Sequence, residues 1–239
     1  MSGRLDGCIA VVTGASRGIG RATALLFAGQ GARVQAVART RADLESLATE
    51  ALELPGEIVP APGDLTDPAF VESTFAALGE RLDVVVNAAG IAPFGSIADM
   101  DPERFRACLE LNVWAVFLCT QQAVRIMRMQ GRGKIINVGS VRSHWSESGD
   151  AGAYTASKYA LRGFTESVAR ELHGRDLHIA VSLVCPGVVD TTLTNPGRDP
   201  KPEWLQPETV AESILYIAAA PDNVNVYDVT LFPTWQAPW

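Results

Sequence analysis

Short apolar segments alternate with longer helical patterns along this chain, and the alternation limits the fold more than any other feature. Most of the short segments are rich in valine and isoleucine, which is typical of strands buried on both faces. They occupy residues 8–12, 33–38, 57–61, 84–87, 134–138, 178–184 and 226–232. Helical patterns lie between them at residues 18–30, 42–53, 68–80, 102–129, 151–173 and 207–219. This order predicts an α/β fold, with a doubly wound parallel sheet of seven strands, helices on both faces and one domain over residues 1–239.

Composition and charge argue against several function classes. Hydrophobic residues make up 47% and charged residues 20% of the 239 residues, and the net charge is −7. No basic run or stripe is present, so we expect no binding to nucleic acid or to an anionic membrane surface. The N-terminal sequence lacks the apolar core of a signal peptide, and no apolar run approaches the ~18 residues that cross a bilayer.

The four cysteines also indicate where the protein resides. Cys8, Cys108, Cys119 and Cys185 form no Cys-x-x-Cys pair, and three of them lie in apolar runs. They are predicted to be buried free thiols of a reducing compartment. We therefore expect a soluble cytoplasmic protein, and we expect no metal.

A glycine-rich loop follows the first predicted strand and opens the first helix. It comprises Thr13-Gly14-Ala15-Ser16-Arg17-Gly18-Ile19-Gly20. Glycines permit a tight turn and close backbone approach to a pyrophosphate, and the helix N-terminus presents N–H groups to the anion. The spacing Gly-x-x-x-Gly-x-Gly differs from the commoner Gly-x-Gly-x-x-Gly, and an ordinary glycine turn is the alternative. The strand before the loop and the helix after it favour dinucleotide binding.

Basic residues follow the second predicted strand. A cofactor with a free ribose 2′-hydroxyl usually meets an acidic residue here, but Arg39, Thr40 and Arg41 come first and no acid appears until Asp43. Guanidinium groups suit a 2′-phosphate, and Arg17 in the glycine loop adds another. The cofactor is therefore predicted to be NADP(H) rather than NAD(H). In the alternative reading Arg41 faces solvent on the next helix.

Tyr154 and Lys158 lie four residues apart in a predicted helix, which places both side chains on one face. A phenol is a poor proton donor at neutral pH, and a nearby cation lowers its pKa. The pair is therefore a candidate acid–base device. A surface pair is the alternative.

With these features in place, the chain resembles the short-chain dehydrogenase/reductase family and its NADP-preferring members. The resemblance rests on seven segments in the family's order. They are TGASRGIG at 13–20, GDLTD at 63–67, NAAG at 87–90, ELN at 110–112, IINVGS at 135–140, YTASK at 154–158 and CPGVVDT at 185–191. It implies a Rossmann-type fold.

The resemblance also implies four catalytic residues. Tyr154 exchanges a proton with the substrate oxygen, and Lys158 lowers the pKa of Tyr154 and binds the nicotinamide ribose. Ser140 holds the substrate oxygen, and Asn112 supports a water in a proton relay behind Lys158. Alternatives are a cap role for Ser140 and a tolerated surface position for Asn112.

Further cofactor contacts follow from the same resemblance. Asp64 and Leu65 would contact the adenine end, although Asp64 is otherwise a turn residue. The remaining contacts are Asn87, Ala88 and Gly90, for which close packing is the alternative, and Pro186, Gly187, Val189 and Thr191 beside the nicotinamide, where a plain Pro-Gly turn is the alternative.

Two loops depart from the family pattern. The stretch between Ser140 and Tyr154 is one residue longer than usual, and we expect His144 and Trp145 on the rim of the substrate site or in solvent rather than inside it. The substrate loop at about 191–207 is short and proline-rich, which predicts a relatively open site.

The C-terminal tail resembles that of the 3-hydroxy-acid dehydrogenases of the serine or allo-threonine type. It carries Trp235 and Trp239, and exposed tryptophans at a terminus predict a subunit interface. The family is commonly dimeric or tetrameric, so we expect a homo-oligomer, with a homotetramer as the specific expectation.

The predicted function is NADP(H)-dependent, reversible reduction of a small or medium carbonyl compound to an alcohol. The alternative within enzymes is a 3-oxoacyl-carrier-protein reductase, with Arg142 and Arg198 as candidates for a basic patch at the site mouth. The alternative from another class is a non-catalytic dinucleotide-binding regulator.

Overall fold

Seven strands form one sheet in the computed structural model, which describes residues 3–146, 149–174, 177–195, 197 and 199–237. The strands are β1 (Ile9–Thr13), β2 (Arg33–Ala38), β3 (Glu57–Pro62), β4 (Val84–Asn87), β5 (Arg132–Val138), β6 (His178–Pro186) and β7 (Asp228–Leu231). Their order is β3-β2-β1-β4-β5-β6-β7, and every adjacent pair is parallel. The predicted doubly wound, Rossmann-type parallel sheet is confirmed.

Helices cover both faces of this sheet. They are α1 (Gly18–Gly29), α2 (Arg41–Glu50), α3 (Pro68–Ala76), α4 (Pro102–Leu109), α5 (Ala115–Gln130), α6 (Gly152–Glu171) and α7 (Pro207–Ala218). The Asp67 side chain accepts a 2.9 Å hydrogen bond from the Ala69 N–H at the start of α3, where Pro68 needs no partner for its nitrogen. The long helix predicted at 102–129 is divided between α4 and α5 by a π-helical turn, Glu110–Trp114.

Two hydrophobic cores sit on opposite faces of the sheet, and β1 contributes to both. Ala10 and Val12 belong to the core that α1 and α7 cover, whereas Val11 belongs to the core beneath α3 and α5. Successive side chains of a strand point to opposite faces. A central strand therefore has to be apolar at every position, which explains the continuous apolar segments of the sequence.

The second core takes in much of the longest helical span. Among the described residues, Pro102–Gln130 is the one helix whose length and hydropathy match those of a membrane-crossing segment, a test that core helices also pass. Its Leu118, Cys119 and Met127 are buried in the second core. The four cysteines are all free and buried, as predicted.

The order of the strands creates a crevice at one edge of the sheet. The chain moves outward from β1 to β3 and then returns to place β4 on the other side of β1. Helices that leave β1 and β4 therefore diverge, and in such sheets ligands bind outside the carboxyl ends of the strands at this point. The glycine loop follows β1, and the segment Asn87-Ala88-Ala89-Gly90 ends β4.

Candidate functional site

The Thr13 hydroxyl joins the carboxyl ends of β1 and β4. It donates to the Val86 carbonyl at 3.4 Å and accepts hydrogen bonds from the N–H groups of Ala88 at 3.0 Å and Ala89 at 3.2 Å. Sequence reasoning placed Thr13 in the loop motif without giving it a role. The structure shows that it holds the loop after β1 against the segment after β4.

Glycine is required in the loop because the backbones approach closely. Gly14 has a φ of +69°, and a Cβ there would lie 2.8 Å from the Ala89 backbone. At Gly20 a Cβ would meet the Gly14 carbonyl, and Gly18 also has a positive φ, +56°. Arg17 precedes α1 without making a side-chain cap. Open N–H groups at the helix start and a backbone cradle that side chains would fill fit a bound pyrophosphate better than an ordinary turn.

The basic residues beside this loop divide into two groups. Arg17 and Arg39 are exposed, and neither side chain makes a hydrogen bond or ion pair within the described part of the chain. Arg41 instead lies 3.8 Å from Glu45 on the surface of α2, as its solvent-facing alternative predicts. The charges available to an incoming phosphate at this edge are therefore those of Arg17 and Arg39.

Asp64 and Leu65 follow β3 at the same edge of the sheet. The Asp64 carboxylate accepts hydrogen bonds from the Thr66 N–H at 2.9 Å and the Thr66 hydroxyl at 2.8 Å, so it does form a turn. Leu65 is buried in the second core. Their contact with adenine stays a prediction.

Asn112 is fully buried in the π-helical turn between α4 and α5. Its Oδ1 accepts the Ile91 N–H at 2.9 Å, and its Nδ2 donates to the Ile91 carbonyl and to the Ser157 hydroxyl, both at 2.9 Å. The tolerated-surface alternative is wrong. A π-helical turn inserts an extra residue into the helix and often occurs at a functional site, and here it brings Asn112 against the segment after β4 and against α6.

Two more buried polar residues support this edge. The Asn137 Oδ1 accepts from the Asn87 Nδ2 at 2.8 Å, and the Asn137 Nδ2 donates to the Thr165 hydroxyl at 2.9 Å. Sequence reasoning missed Asn137, although an asparagine within the apolar run IINV was a signal. Asn87 thus has a packing role between β4 and β5, in addition to any cofactor contact.

Ser140 follows β5 and serves two groups at once. Its hydroxyl accepts the Arg142 N–H at 3.2 Å and its own N–H donates to the Ser143 hydroxyl at 3.3 Å, which is a capping box. The same side chain acts on the Tyr154 phenol and lowers its pKa. Ser140 therefore does act as a cap, as the alternative predicts. The capping hydrogen bonds also orient its hydroxyl group.

Tyr154 and Lys158 both lie on the inner face of α6. Lys158 is only 5% exposed, which excludes a surface pair. Its Nζ donates to the Val138 carbonyl at 2.8 Å and stands 5.5 Å from the centre of the Tyr154 ring. The ammonium group is therefore held at the end of β5, beneath the phenol.

Burial dominates the titration of this pair. It raises the pKa of Tyr154 to about 12, against the opposing effects of the Ser140 hydrogen bond and the Arg142 charge. It lowers the pKa of Lys158 to about 8. The lowering of the Tyr154 pKa by Lys158 that we expected is not found in this geometry. With a pKa of about 8, Lys158 has lost its charge before the buried phenol of the free protein ionises.

The segment after β6 packs against the glycine loop. The Gly187 N–H donates to the Leu231 carbonyl at 2.8 Å and the Val188 N–H to Gln236 Oε1 at 3.0 Å. The Val189 N–H has no partner among the described residues, so it is available to a ligand. A Cβ on Gly18 would lie 3.2 Å from Thr191, which puts the two predicted cofactor segments in contact.

The predicted substrate loop after Thr191 is organised by Asp190. Its carboxylate accepts the Lys201 N–H at 2.7 Å and the Asn195 amide at 2.8 Å, and these bonds hold its pKa below the usual range. The Trp235 indole donates to the Glu203 carbonyl at 2.6 Å. The tail thus contacts the substrate loop of its own chain. Arg198 and Trp239 lie outside the described residues.

The two residues of the lengthened loop differ in part from expectation. The ring of Trp145 stacks on Phe232, with centroids 5.9 Å apart, and the His144 side chain is only 16% exposed. Both are therefore packed against the C-terminal region rather than placed in solvent. The loop length gave no indication of this contact, because Phe232 lies 87 positions further along the chain.

The buried charge of Lys158 predicts a pH-dependent stability difference. The unfolded chain keeps the Lys158 proton up to a pKa near 10.5, whereas the folded chain loses it near 8. The unfolded state therefore binds more protons between these values, and folding becomes more favourable as pH rises. From pH 7 to about pH 10, the wild type should gain about 2–3 kcal/mol in free energy of unfolding relative to Lys158→Met, as measured by urea denaturation. A difference that stays constant over this range would contradict the buried cation.

Comparisons with known proteins agree with this geometry. The family described as short chain dehydrogenase matches residues 8–202. The chain is 32% identical over 246 residues to dehydrogenase/reductase SDR family member 11 of Bos taurus, covering 95% of this chain and 96% of that protein. It is 37% identical over 230 residues to the 3-oxoacyl-[acyl-carrier-protein] reductase FabG of Thermotoga maritima, covering 90% and 92%.

Solved structures are similar over nearly the whole chain. An alcohol dehydrogenase of Thermococcus sibiricus in complex with 5-hydroxy-NADP has a TM-score of 0.88 at 28% identity and covers 98% of this chain and 100% of that one. A closed form of serine dehydrogenase complexed with NADP+ has a TM-score of 0.85 at 26% identity and covers 96% of both. Taken with the site, these matches show that the chain belongs to the short-chain dehydrogenase/reductase family and is an NAD(P)-dependent oxidoreductase.

Proposed function

We propose that this protein reduces a small or medium carbonyl compound to an alcohol with NADPH, and catalyses the reverse oxidation. The observation that carries the proposal is the grouping of Ser140 and Tyr154 with the buried Lys158, at the sheet edge that also holds the glycine loop. A non-catalytic regulator would not need these three groups together. We also infer one catalytic domain over residues 1–239 with the substrate loop at about 191–207.

The site residues fit a dinucleotide. Gly14, Gly18 and Gly20 leave a backbone cradle at the start of α1, and the Val189 N–H suits a carboxamide oxygen. Bound NADPH would supply the hydride. We propose that the other predicted contacts, from Ser16 to Thr191, would line the bound cofactor and that Lys158 would meet the nicotinamide ribose.

Ser140 and Tyr154 act on the substrate oxygen. When a carbonyl carbon accepts hydride, negative charge develops on its oxygen, and the two hydroxyl donors stabilise that charge. The Tyr154 proton then passes to the oxygen and completes the alcohol, which leaves a phenolate. The Lys158 ammonium stabilises this phenolate, since with a pKa of about 8 it is largely protonated at pH 7.

Asn112 supports the part of the site where the proposed proton relay would run. Its side chain fixes Ile91 and Ser157, so the backbone around the π-helical turn stays close to Lys158. We propose that a water supported there returns a proton towards Lys158 and Tyr154.

The preference for NADP(H) follows from Arg17 and Arg39. Arg39 is exposed at the end of β2 and Arg17 is exposed in the glycine loop. Neither segment offers a carboxylate that would bind a free ribose 2′-hydroxyl. The NADP complexes of similar structures support the same choice.

The second candidate function is reduction of 3-oxoacyl groups on a carrier protein, and the resemblance to the Thermotoga maritima reductase favours it. The position of Arg142 gives little support to this second function. Its charge acts on Tyr154 and its side chain is partly buried, so it is placed for a substrate rather than for the surface of a carrier.

We further propose a cytoplasmic homo-oligomer, either a dimer or a tetramer. The free, buried cysteines support a reducing compartment. Trp114 stacks on Phe117 at 5.3 Å yet stays 43% exposed. Trp114 and Trp235 are both exposed and each indole N–H bonds its own chain, so both tryptophans support a subunit contact to a similar degree.

Removing the Tyr154 hydroxyl should abolish most turnover. Tyr154→Phe should lower kcat about 100- to 10,000-fold on every aldehyde, ketone or β-keto ester that the wild type reduces, because the proton donor is lost. NADPH oxidation measures the rate and fluorescence titration should show unchanged NADPH binding. Tyr216→Phe, at an exposed tyrosine of α7, is the control. Equal rates for wild type and Tyr154→Phe would show that Tyr154 is not the acid.

Arg39 should select the phosphorylated cofactor. Arg39→Asp should raise the KM for NADPH about tenfold or more while changing the KM for NADH far less, since only NADPH carries the 2′-phosphate. Arg41→Gln, which removes a surface partner of Glu45, should leave the preference unchanged. Equal loss of both cofactors in Arg39→Asp would refute the assignment.

A further inference from the structure

His144 lies directly after the 3₁₀ turn (Val141–Ser143) that Ser140 caps, and three contacts from two elements hold it. Its Nδ1 is 3.1 Å from the Arg162 Nη1 of α6, and its Nε2 is 3.4 Å from the Asp228 Oδ2 of β7. The Tyr159 hydroxyl donates to its carbonyl at 2.8 Å. No role in the proposed reaction accounts for these contacts.

The Arg162 contact decides the tautomer. A guanidinium can only donate hydrogen bonds, so the His144 Nδ1 must accept. In the neutral imidazole the proton then resides on Nε2, which faces the Asp228 carboxylate. The Nε2 lies 3.4 Å from Asp228 Oδ2, a close contact whose geometry does not make a hydrogen bond.

This order argues against a metal at the same place. His144, Cys185 and Asp228 bring their ligand atoms within 4.8 Å of one another. A metal would need the lone pair on Nε2, which the Arg162 contact assigns to a proton. Burial also raises the pKa of the Cys185 thiol to about 12, so the sulfur keeps its proton. Arg162, His144 and Asp228 thus form a clamp, with a hydrogen bond at Arg162 and a close contact at Asp228, rather than a metal site.

The clamp is connected to Ser140 through the turn between them. The His144 N–H donates to the Val141 carbonyl at 2.9 Å, and the Ser143 N–H donates to the Ser140 carbonyl at 2.8 Å. Asp228 is itself fixed, since β7 pairs with β6 with Asp228 opposite Leu183. The turn begins at Ser140 and ends at His144. Movement of the His144 ring would therefore shift one end of the turn that positions Ser140 at its other end.

We propose that His144 is a positioning residue that keeps the Ser140 hydroxyl directed at Tyr154, by fixing the turn to α6 and β7. The inference rests on the proposed function of Ser140. It assigns a purpose to the lengthened loop after Ser140, which sequence reasoning left unexplained.

Kinetics of single and double variants test the link to Ser140. His144→Phe keeps a ring but loses the hydrogen bond to Arg162 and the polar contact with Asp228, and it should lower kcat about ten- to a hundredfold with the KM for NADPH unchanged. His144→Gln keeps an acceptor and a donor and should stay within about threefold of wild type. In the Ser140→Ala background His144→Phe should cost almost nothing further, since residues that act as a unit are not additive. Full additivity would overturn the proposal.

Hydrogen exchange tests the clamp independently of turnover. Amide exchange across residues 139–146 should be faster in His144→Phe than in wild type and in His173→Phe, the matched change at an exposed histidine. Unchanged exchange in His144→Phe would refute the clamp. If the wild type reduced no compound in the panel, the proposed function would fail, and this measurement would still decide whether the turn is held.

Discussion

A lysine ammonium group buried beneath a tyrosine is the interaction on which the rest of this site depends. Lys158 is 5% exposed, and its one described hydrogen bond is to the Val138 carbonyl. Burying a charge with so few partners is unfavourable, so the position is retained at a cost in stability. A cation is useful there only when negative charge develops close by. In the proposed reaction, loss of the Tyr154 proton to a substrate would produce such a charge, which would give the unfavourable burial a chemical purpose.

The parallel sheet brings the necessary groups to one edge. The glycine loop ends β1, Asn87 ends β4, Ser140 follows β5 and Val189 follows β6. None of these segments is close to the others in sequence, yet parallel strands deliver them side by side. The Thr13 hydroxyl and the Asn112 amide then hydrogen-bond the segment after β4 to its neighbours and so hold these segments at fixed distances. Family membership agrees with this arrangement, and we propose that the loops around it choose the substrate.

Features that depend on local pattern could be predicted from the sequence. The seven strands, the glycine loop and the shared face of Tyr154 and Lys158 follow from apolar segments, glycine spacing and helical periodicity. The π-helical turn could not be predicted, because the apolar pattern runs unbroken through residues 102–129. Nor could the bond from Val188 to Gln236, which joins residues 48 positions apart. The direction in which the Tyr154 pKa shifts could not be predicted from the sequence either, because burial rather than the neighbouring cation decides it.

The central claim is that Tyr154 becomes a usable acid when cofactor and lysine act on it together. NMR titration of tyrosine labelled at the ring carbon that bears oxygen measures this directly, with Tyr154→Phe identifying the signal. In the free protein the pKa of Tyr154 should lie near 12. With NADP+ bound it should fall well below that value in the wild type, since the positive nicotinamide and Lys158 both favour the phenolate, and fall less in Lys158→Met. A pKa that stays near 12 in the wild-type complex would contradict the account.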